Sequence, residues 1–377
     1  MQSAMRFDEA PLLVIWEMTQ ACDLACAHCR ASASPWRHSS ELTTGEAGRL
    51  LETIREFGNP LMVFTGGDPL KRPDLFPLLR RSVELGLRTN ISPSATPLLT
   101  RDVIHAFQDC GVARMAISLD GADAATHDGF RGVPGTFDRA VDALEEAQRI
   151  GLETQLQTTV TRRNMHQLDR IAEIAARTGA RMWSLFFLIL TGRALEGDDL
   201  AAEEYEQVFE TLFQLSRRVS FDIKTTEAMH YRRYLARRMR EEMCEPEPER
   251  TVWRTAGVSD GRGFIFISHT GEIYPSGFLP ISAGNVRVDS LVHVYRNSPL
   301  FLELRDADAR HGKCGVCEYR KLCGGSRARA FALTGDYLAP DPRCTYQPET
   351  AAAPAGAGLQ AAAPNLLQSV RDGRICR

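Results

Sequence analysis

No segment of this chain is long and apolar enough to cross a bilayer. Its most apolar run, Met182–Leu190, stops far short of the roughly 20 residues that span one and reads as a buried strand. A secretory signal is not expected either: MQSAMRFDEA carries acidic residues where an export signal has its apolar centre. Charge of one sign is not in excess either. With 45 Lys and Arg against 48 Asp and Glu the net charge is −3, so the basic field that attracts nucleic acid is absent. Neither a membrane nor a nucleic acid is therefore expected as a partner, and the expected location is cytoplasmic. No separate domain fits into the lead-in 1–10.

What the chain does have is 377 residues, 44% of them hydrophobic, and ten cysteines. That is enough to bury a large core. Ten cysteines without a secretory signal point to a reducing compartment. Their placement is uneven. Cys22, Cys26 and Cys29 fall on one short stretch, and Cys314, Cys317 and Cys323 on another, with Cys344 beyond. Cys110, Cys244 and Cys376 are scattered. Clustering of this kind suggests metal or redox chemistry rather than disulfides.

Between residues 11 and 219 short apolar runs alternate with amphipathic ones. PLLVIWEM, LMVFTGG, LRTNISP, VARMAISLDG, LETQLQTTVT and RMWSLFFLIL read as strands. Helices are expected after Thr43 or Thr44 with a stop at Gly58, from near Pro73, over Thr100–Asp109, Thr136–Ile150 and Gln167–Arg177, and over about 200–219. Six strand–helix units of this type make a parallel sheet covered by helices. Polar, glycine-rich segments follow the strands, as they do at the mouth of a barrel or along the edge of an open doubly wound sheet. After residue 220 the pattern changes. HYRRYLARRMREEM reads as a basic helix with a solvated face, GFIFISHTGEIYPSGF as a hairpin turning at HTG, and PETAAAPAGAGLQAAAP as a flexible tail over 349–377.

Four cysteines close a zinc site or an iron–sulfur cluster. Three on one loop leave a corner open, and an open corner is where an external ligand binds. On spacing alone, a structural zinc or three unrelated buried thiols remain open alternatives. However, TQACDLACAHCR, with Cys-x3-Cys-x2-Cys directly after a first strand, resembles the radical S-adenosylmethionine (SAM) enzymes. The resemblance implies a partial (β/α)6 TIM-type barrel over 11–220. It also implies a [4Fe–4S] cluster held by Cys22, Cys26 and Cys29, with SAM on its open iron. Reductive cleavage of SAM would then give a 5′-deoxyadenosyl radical that abstracts a substrate hydrogen.

Further segments fit that likeness. FTGGDP is similar to the family's Gly-Gly-Glu-Pro, which implies SAM contacts from Gly66, Gly67 and Asp68, the last one methylene shorter than the family's glutamate. AISLDG matches the fourth-strand segment near the SAM ribose, making Ser118 and Asp120 candidates. Arg131 in HDGFRG is a candidate for the SAM carboxylate, and Arg193 in LTGR a weaker one.

The second cysteine group resembles the auxiliary iron–sulfur extension called SPASM, or its shorter twitch relative, an α+β unit expected over 221–348. Zinc is the plain alternative for Cys-x2-Cys-x5-Cys plus a distant fourth ligand. A full SPASM unit would have cysteines where this chain has Ser276 and Arg327. The resemblance thus implies one auxiliary [4Fe–4S] cluster on Cys314, Cys317, Cys323 and Cys344, with Cys244 a stray candidate.

WEMTQACDLACAHCRA, FRGVPG, TTVTRRN and CGGSRARAFALTGD are most similar to the alternative haem-pathway and haem d1 group. That implies trimming or decarboxylation of tetrapyrrole side chains, with Arg162, Arg163 and Arg193 suited to an anionic substrate. It also implies an electron donor such as flavodoxin or ferredoxin. A radical SAM maturase acting on a ribosomal peptide is the second expectation, and a non-enzymatic zinc-binding protein the third.

Overall fold

The structure is a computed structural model, and it describes residues 6–241 and 258–349. Cys244, Cys376 and the expected tail from residue 350 lie outside the described residues.

Seven parallel strands follow one another: β1 (Leu13–Glu17), β2 (Leu61–Thr65), β3 (Arg88–Ile91), β4 (Arg114–Ser118), β5 (Thr154–Val160), β6 (Met182–Phe187) and β7 (Asp222–Thr226). Each pairs with its successor. A doubly wound sheet reverses its strand order at a switch point. No reversal occurs here, so the arrangement is that of a partial β/α barrel. β8 (Phe264–Ile267) extends the sheet on the free side of β1, in parallel, and β9 (Ile273–Tyr274) closes the expected hairpin against it. The sheet of nine strands therefore continues past residue 220.

The helices that cover the sheet begin and end on readable signals. α1 (Thr44–Arg55) opens on a capping box, in which Glu46 N–H donates to Thr43 Oγ1 at 3.3 Å and Thr43 N–H to Glu46 Oε2 at 2.7 Å. α2 (Leu75–Glu84), α3 (Arg101–Asp109), α4 (Ala124–Arg131), α5 (Thr136–Ile150), α6 (Leu168–Arg177), α7 (Ala202–Ser216) and α8 (His230–Glu241) follow. Their apolar stripes bury Leu50, Leu78, Ile104, Leu144, Ile171 and Phe209 against the strands. Trp16 and Phe64 meet beneath the first two strands, ring centroids 5.8 Å apart.

Three features differ from the sequence reading. A seventh strand and the short helix α4 were not expected. All five residues of β7 are half-buried, so DIKTT carries no apolar signature. The basic helix α8 is not merely solvated. His230, Tyr231 and Arg233 are buried, with Arg233 paired to Glu206 and its guanidinium 5.3 Å from the Tyr346 ring. Beyond the hairpin come α9 (Leu291–Asn297), α10 (Pro299–Arg305), α11 (Gly312–Val316) and α12 (Arg327–Thr334). α11 carries Cys314, and Cys317 caps it.

Candidate active site

The cysteine loop leaves the C-terminal end of β1 and is held from several sides by backbone hydrogen bonds. Cys22 N–H donates to Ser34 O at 2.8 Å, Ala25 N–H to Arg131 O at 3.1 Å and Ala27 N–H to Phe130 O at 3.0 Å. From the far side of the barrel, Arg193 N–H reaches Cys29 O at 3.0 Å. Its guanidinium donates to Cys26 O at 3.0 Å and to Ala33 O at 2.9 Å. Arg193 thus shapes the loop through Nε and Nη1, while its Nη2 has no protein partner among the described residues. Cys22, Cys26 and Cys29 pack together with Leu24, Ala33 and Val133. Arg131 Nη1 stands 3.7 Å from Cys26 Sγ.

Beside the loop opens a cleft of about 150 Å³, lined by Gly66, Gly67, Ser94, Ser118, Arg131 and Gln157 among others. The two glycines are required by the cysteine loop itself. A Cβ on Gly66 would lie 2.5 Å from Thr19 O, and one on Gly67 2.5 Å from Ala21 O. The close approach allows Gly67 N–H and Asp68 N–H to donate to Thr19 O and Ala21 O, both at 2.7 Å. Loop and glycine turn are therefore one backbone unit.

Asp68 does not line this cleft. It is buried, accepting from Thr96 Oγ1 at 2.8 Å, from Leu70 N–H at 3.1 Å and from Ser94 N–H at 3.4 Å. Burial pushes its carboxyl up, against these three donors. Its carboxylate positions the Ser94 segment, which does line the cleft.

Asp120 is also buried, paired with Arg131 at 2.5 Å and capped by Thr159 N–H at 2.7 Å. Burial raises Asp120, and Arg131 works against that. Burial likewise opposes the Arg131 charge, but Asp120, Cys26 and Cys22 outweigh it and raise its pKa. A fixed cation thus stands between the thiols and the cleft. Of the sequence candidates, Gly66, Gly67, Ser118 and Arg131 line the cleft, whereas Asp68 and Asp120 stand behind it.

Sequence reasoning missed His28, which lies between two of the cysteines and packs against Phe130 with ring centroids 4.3 Å apart and the planes tilted by 39°. Burial and Arg131 hold it well below its ordinary value. It also missed His127, whose Nδ1 accepts from Asp120 N–H at 2.9 Å, and Gln157. The alternation QLQTT in β5 was the available signal for Gln157. Arg162 and Arg163, read as substrate cations, instead pair with Glu204 at 2.9 Å and Asp198 at 2.6 Å on the surface.

Far along the chain, Cys314, Cys317, Cys323 and Cys344 line a single cavity. Burial pushes Cys317 up to about 11 and Cys323 up to about 12, and it also raises Cys344. As bare thiols they stay protonated, and a bound metal would supply the charge that makes them thiolates. Among the described residues no three His, Cys, Asp or Glu side chains converge as they would on a single metal ion. Four thiols around one cavity are a donor set that suits an iron–sulfur cluster or a zinc. At Ser276 and Arg327 stands a buried polar network. Ser276 Oγ donates to Glu227 at 3.2 Å, Ser326 Oγ to Glu227 at 2.5 Å, and Arg327 N–H to Asp260 at 3.1 Å.

Comparison with known proteins agrees with this geometry. Residues 16–175 match the model of the Radical SAM superfamily. The AdoMet-dependent heme synthase of Nitratidesulfovibrio vulgaris is 41% identical over 340 residues, covering 89% of this chain and 92% of that protein. The AdoMet-dependent heme synthase of Methanosarcina barkeri is 38% identical over 341 residues, covering 90% and 97%. In fold, the chain is similar to Streptococcus suis SuiB bound to S-adenosylmethionine. The TM-score is 0.70 at 17% identity, covering 90% of this chain and 78% of that one.

Proposed function

The chain belongs to the radical SAM superfamily of enzymes, and on that premise we propose that it trims carboxylate side chains of a tetrapyrrole in haem formation. The observation that carries the tetrapyrrole reading is the 38–41% identity, over about nine-tenths of the chain, to proteins named AdoMet-dependent heme synthase. Membership in this enzyme family sets aside the non-enzymatic zinc-binding alternative.

In this reading Cys22, Cys26 and Cys29 hold the [4Fe–4S] cluster on three corners. The packing of the three side chains into one pocket, with Arg131 against Cys26, supports it. A cluster held by Cys22, Cys26 and Cys29 would supply the one-electron reduction of SAM from which the hydrogen-abstracting 5′-deoxyadenosyl radical of this family comes. The chain's own residues position the reactants. Gly66 and Gly67 offer backbone to SAM along the cleft wall, Ser118 a hydroxyl, and Arg131 a cation for its carboxylate. Asp120 keeps Arg131 oriented, and Asp68 keeps Ser94 in place.

The cavity of Cys314, Cys317, Cys323 and Cys344 would hold one auxiliary [4Fe–4S] cluster as an electron acceptor. Taking one hydrogen atom, one electron and CO2 from a propionate leaves a vinyl group, so an acceptor for that electron is needed. The reductant would be a small electron carrier such as flavodoxin or ferredoxin.

The test is anaerobic incubation with SAM, reductant and iron coproporphyrin III, followed by mass spectrometry. The expected result is loss of CO2 and two hydrogens per side chain, counted on the free acid, with 5′-deoxyadenosine formed. Formation of 5′-deoxyadenosine only when a peptide is supplied would contradict the tetrapyrrole reading and favour peptide maturation.

A further inference from the structure

We infer that Lys224, with Ser184 beside it, anchors a carboxylate of the substrate inside the barrel. The inference rests on the tetrapyrrole reading and adds the residue that recognises its charge.

The argument begins with register. Ser118 pairs with Gln157, Gln157 with Ser184, and Ser184 with Lys224 across β4 to β7. Residues in register on parallel strands point to the same face. Ser118 and Gln157 line the cleft, so Ser184 and Lys224 continue one polar row along the barrel interior. At strand spacing of about 4.8 Å, Lys224 stands roughly 10 Å beyond Gln157. That is on the lumen side away from the glycine turn and the cysteine loop, where a second reactant would sit. Two residues further along the same face is Phe186, whose ring lies 6.3 Å from that of Phe278. The anchor thus adjoins an apolar wall that suits a flat macrocycle.

Charge accounting narrows the choice. Arg162 and Arg163 are held in surface ion pairs, and Arg193 holds the cysteine loop. Arg114, lower in the barrel, is paired with Glu153 at 2.8 Å, and Arg232 donates to the carbonyl of Val258. Lys224 is half-buried. The groups acting on its charge are two further cations, Arg232 and Arg114, and no carboxylate is among them. Burial first, then those cations, hold its pKa down at about 8. An arriving carboxylate would reverse that shift. Among the described residues the lumen therefore has an unneutralised positive charge beside a hydroxyl and an aromatic wall. In a chain with 45 Lys and Arg, Lys224 is one of only four lysines.

The test is binding to the anaerobically prepared, cluster-loaded protein, using iron coproporphyrin III and its tetramethyl ester. The parent should bind the free acid at least about tenfold more tightly than the ester, as expected for a charge-assisted hydrogen bond. Lys224→Met should lose that preference while keeping its affinity for SAM, which reports that the barrel is intact. Equal affinity of parent and variant for the free acid would overturn the anchor. So would a parent that binds acid and ester alike, a comparison that needs no variant to fold. A parent that binds neither compound would overturn the tetrapyrrole reading itself, a result distinct from both.

Discussion

Gly192 is the residue on which replacement by alanine should disturb the cysteine loop most. It lies in the LTGR segment at φ +62, and an added Cβ would meet Cys29 O at 2.2 Å and Arg30 O at 2.3 Å. Two penalties combine. The left-handed conformation costs a residue with a Cβ about 1–2 kcal/mol. Forcing extra volume into a filled space costs typically about 1–3 kcal/mol. Here the obstructing atoms are backbone, which no rotamer change can remove. Gly192→Ala should therefore lose about 2–5 kcal/mol. Gly151→Ala provides the control: at φ +79 it has the same backbone penalty but nothing within 4 Å of the new Cβ. Urea midpoints measure both losses, and iron content reports on the cluster proposed at Cys29. The reasoning fails if the two variants lose equal stability, or if Gly192→Ala keeps the parental midpoint and full iron.

Asp68→Ala should weaken SAM binding while leaving iron content unchanged. It unpairs Thr96, Leu70 and Ser94 behind the cleft without touching a thiol, and equal affinities in equilibrium dialysis would contradict it. Replacing Cys314, Cys317, Cys323 and Cys344 together should lower iron by about four per chain and stop substrate conversion. SAM cleavage should continue, and unchanged iron would exclude these ligands. The Glu227 carboxyl is held well above the usual range by burial, with Asp260 beside it adding to the rise. A carboxyl raised in the folded state binds a proton that the unfolded chain has released, so stability should fall as pH rises through the interval between the two values. Glu227→Gln should flatten that decline in urea midpoints between pH 5 and 8, and parallel slopes would refute the assignment.

Much of this architecture was legible in the sequence because it is written locally. Thr43 with Glu46 announces α1, and the apolar strands announce a parallel sheet. The spacing of Cys22, Cys26 and Cys29 announces an open-cornered site. What was not legible depends on long-range packing. The strand β7 has one apolar residue, Ile223, too few to read as a strand, so Lys224 appeared only once its register with Ser184 was known. The glycines of GGDP read as a ligand-facing turn, yet their nearest neighbours are the carbonyls of Thr19 and Ala21. Asp68 and Arg193 read as ligand contacts because their segments end at the barrel mouth, and their protein partners could not be read from those segments. The structure turns Asp68 inward to the Ser94 segment and Arg193 onto the carbonyls of Cys26 and Ala33. A motif identifies a segment, but which way each side chain faces is decided by neighbours 26 to 167 residues away in the sequence.

The central claim is that this site removes a hydrogen atom from a propionate side chain of a tetrapyrrole. Its most direct test is turnover of iron coproporphyrin III deuterated at the propionate methylenes, with SAM and reductant under anaerobic conditions. The account predicts 5′-deoxyadenosine that has gained one deuterium for each propionate converted to a vinyl group. A vinyl product accompanied by unlabelled 5′-deoxyadenosine would contradict it.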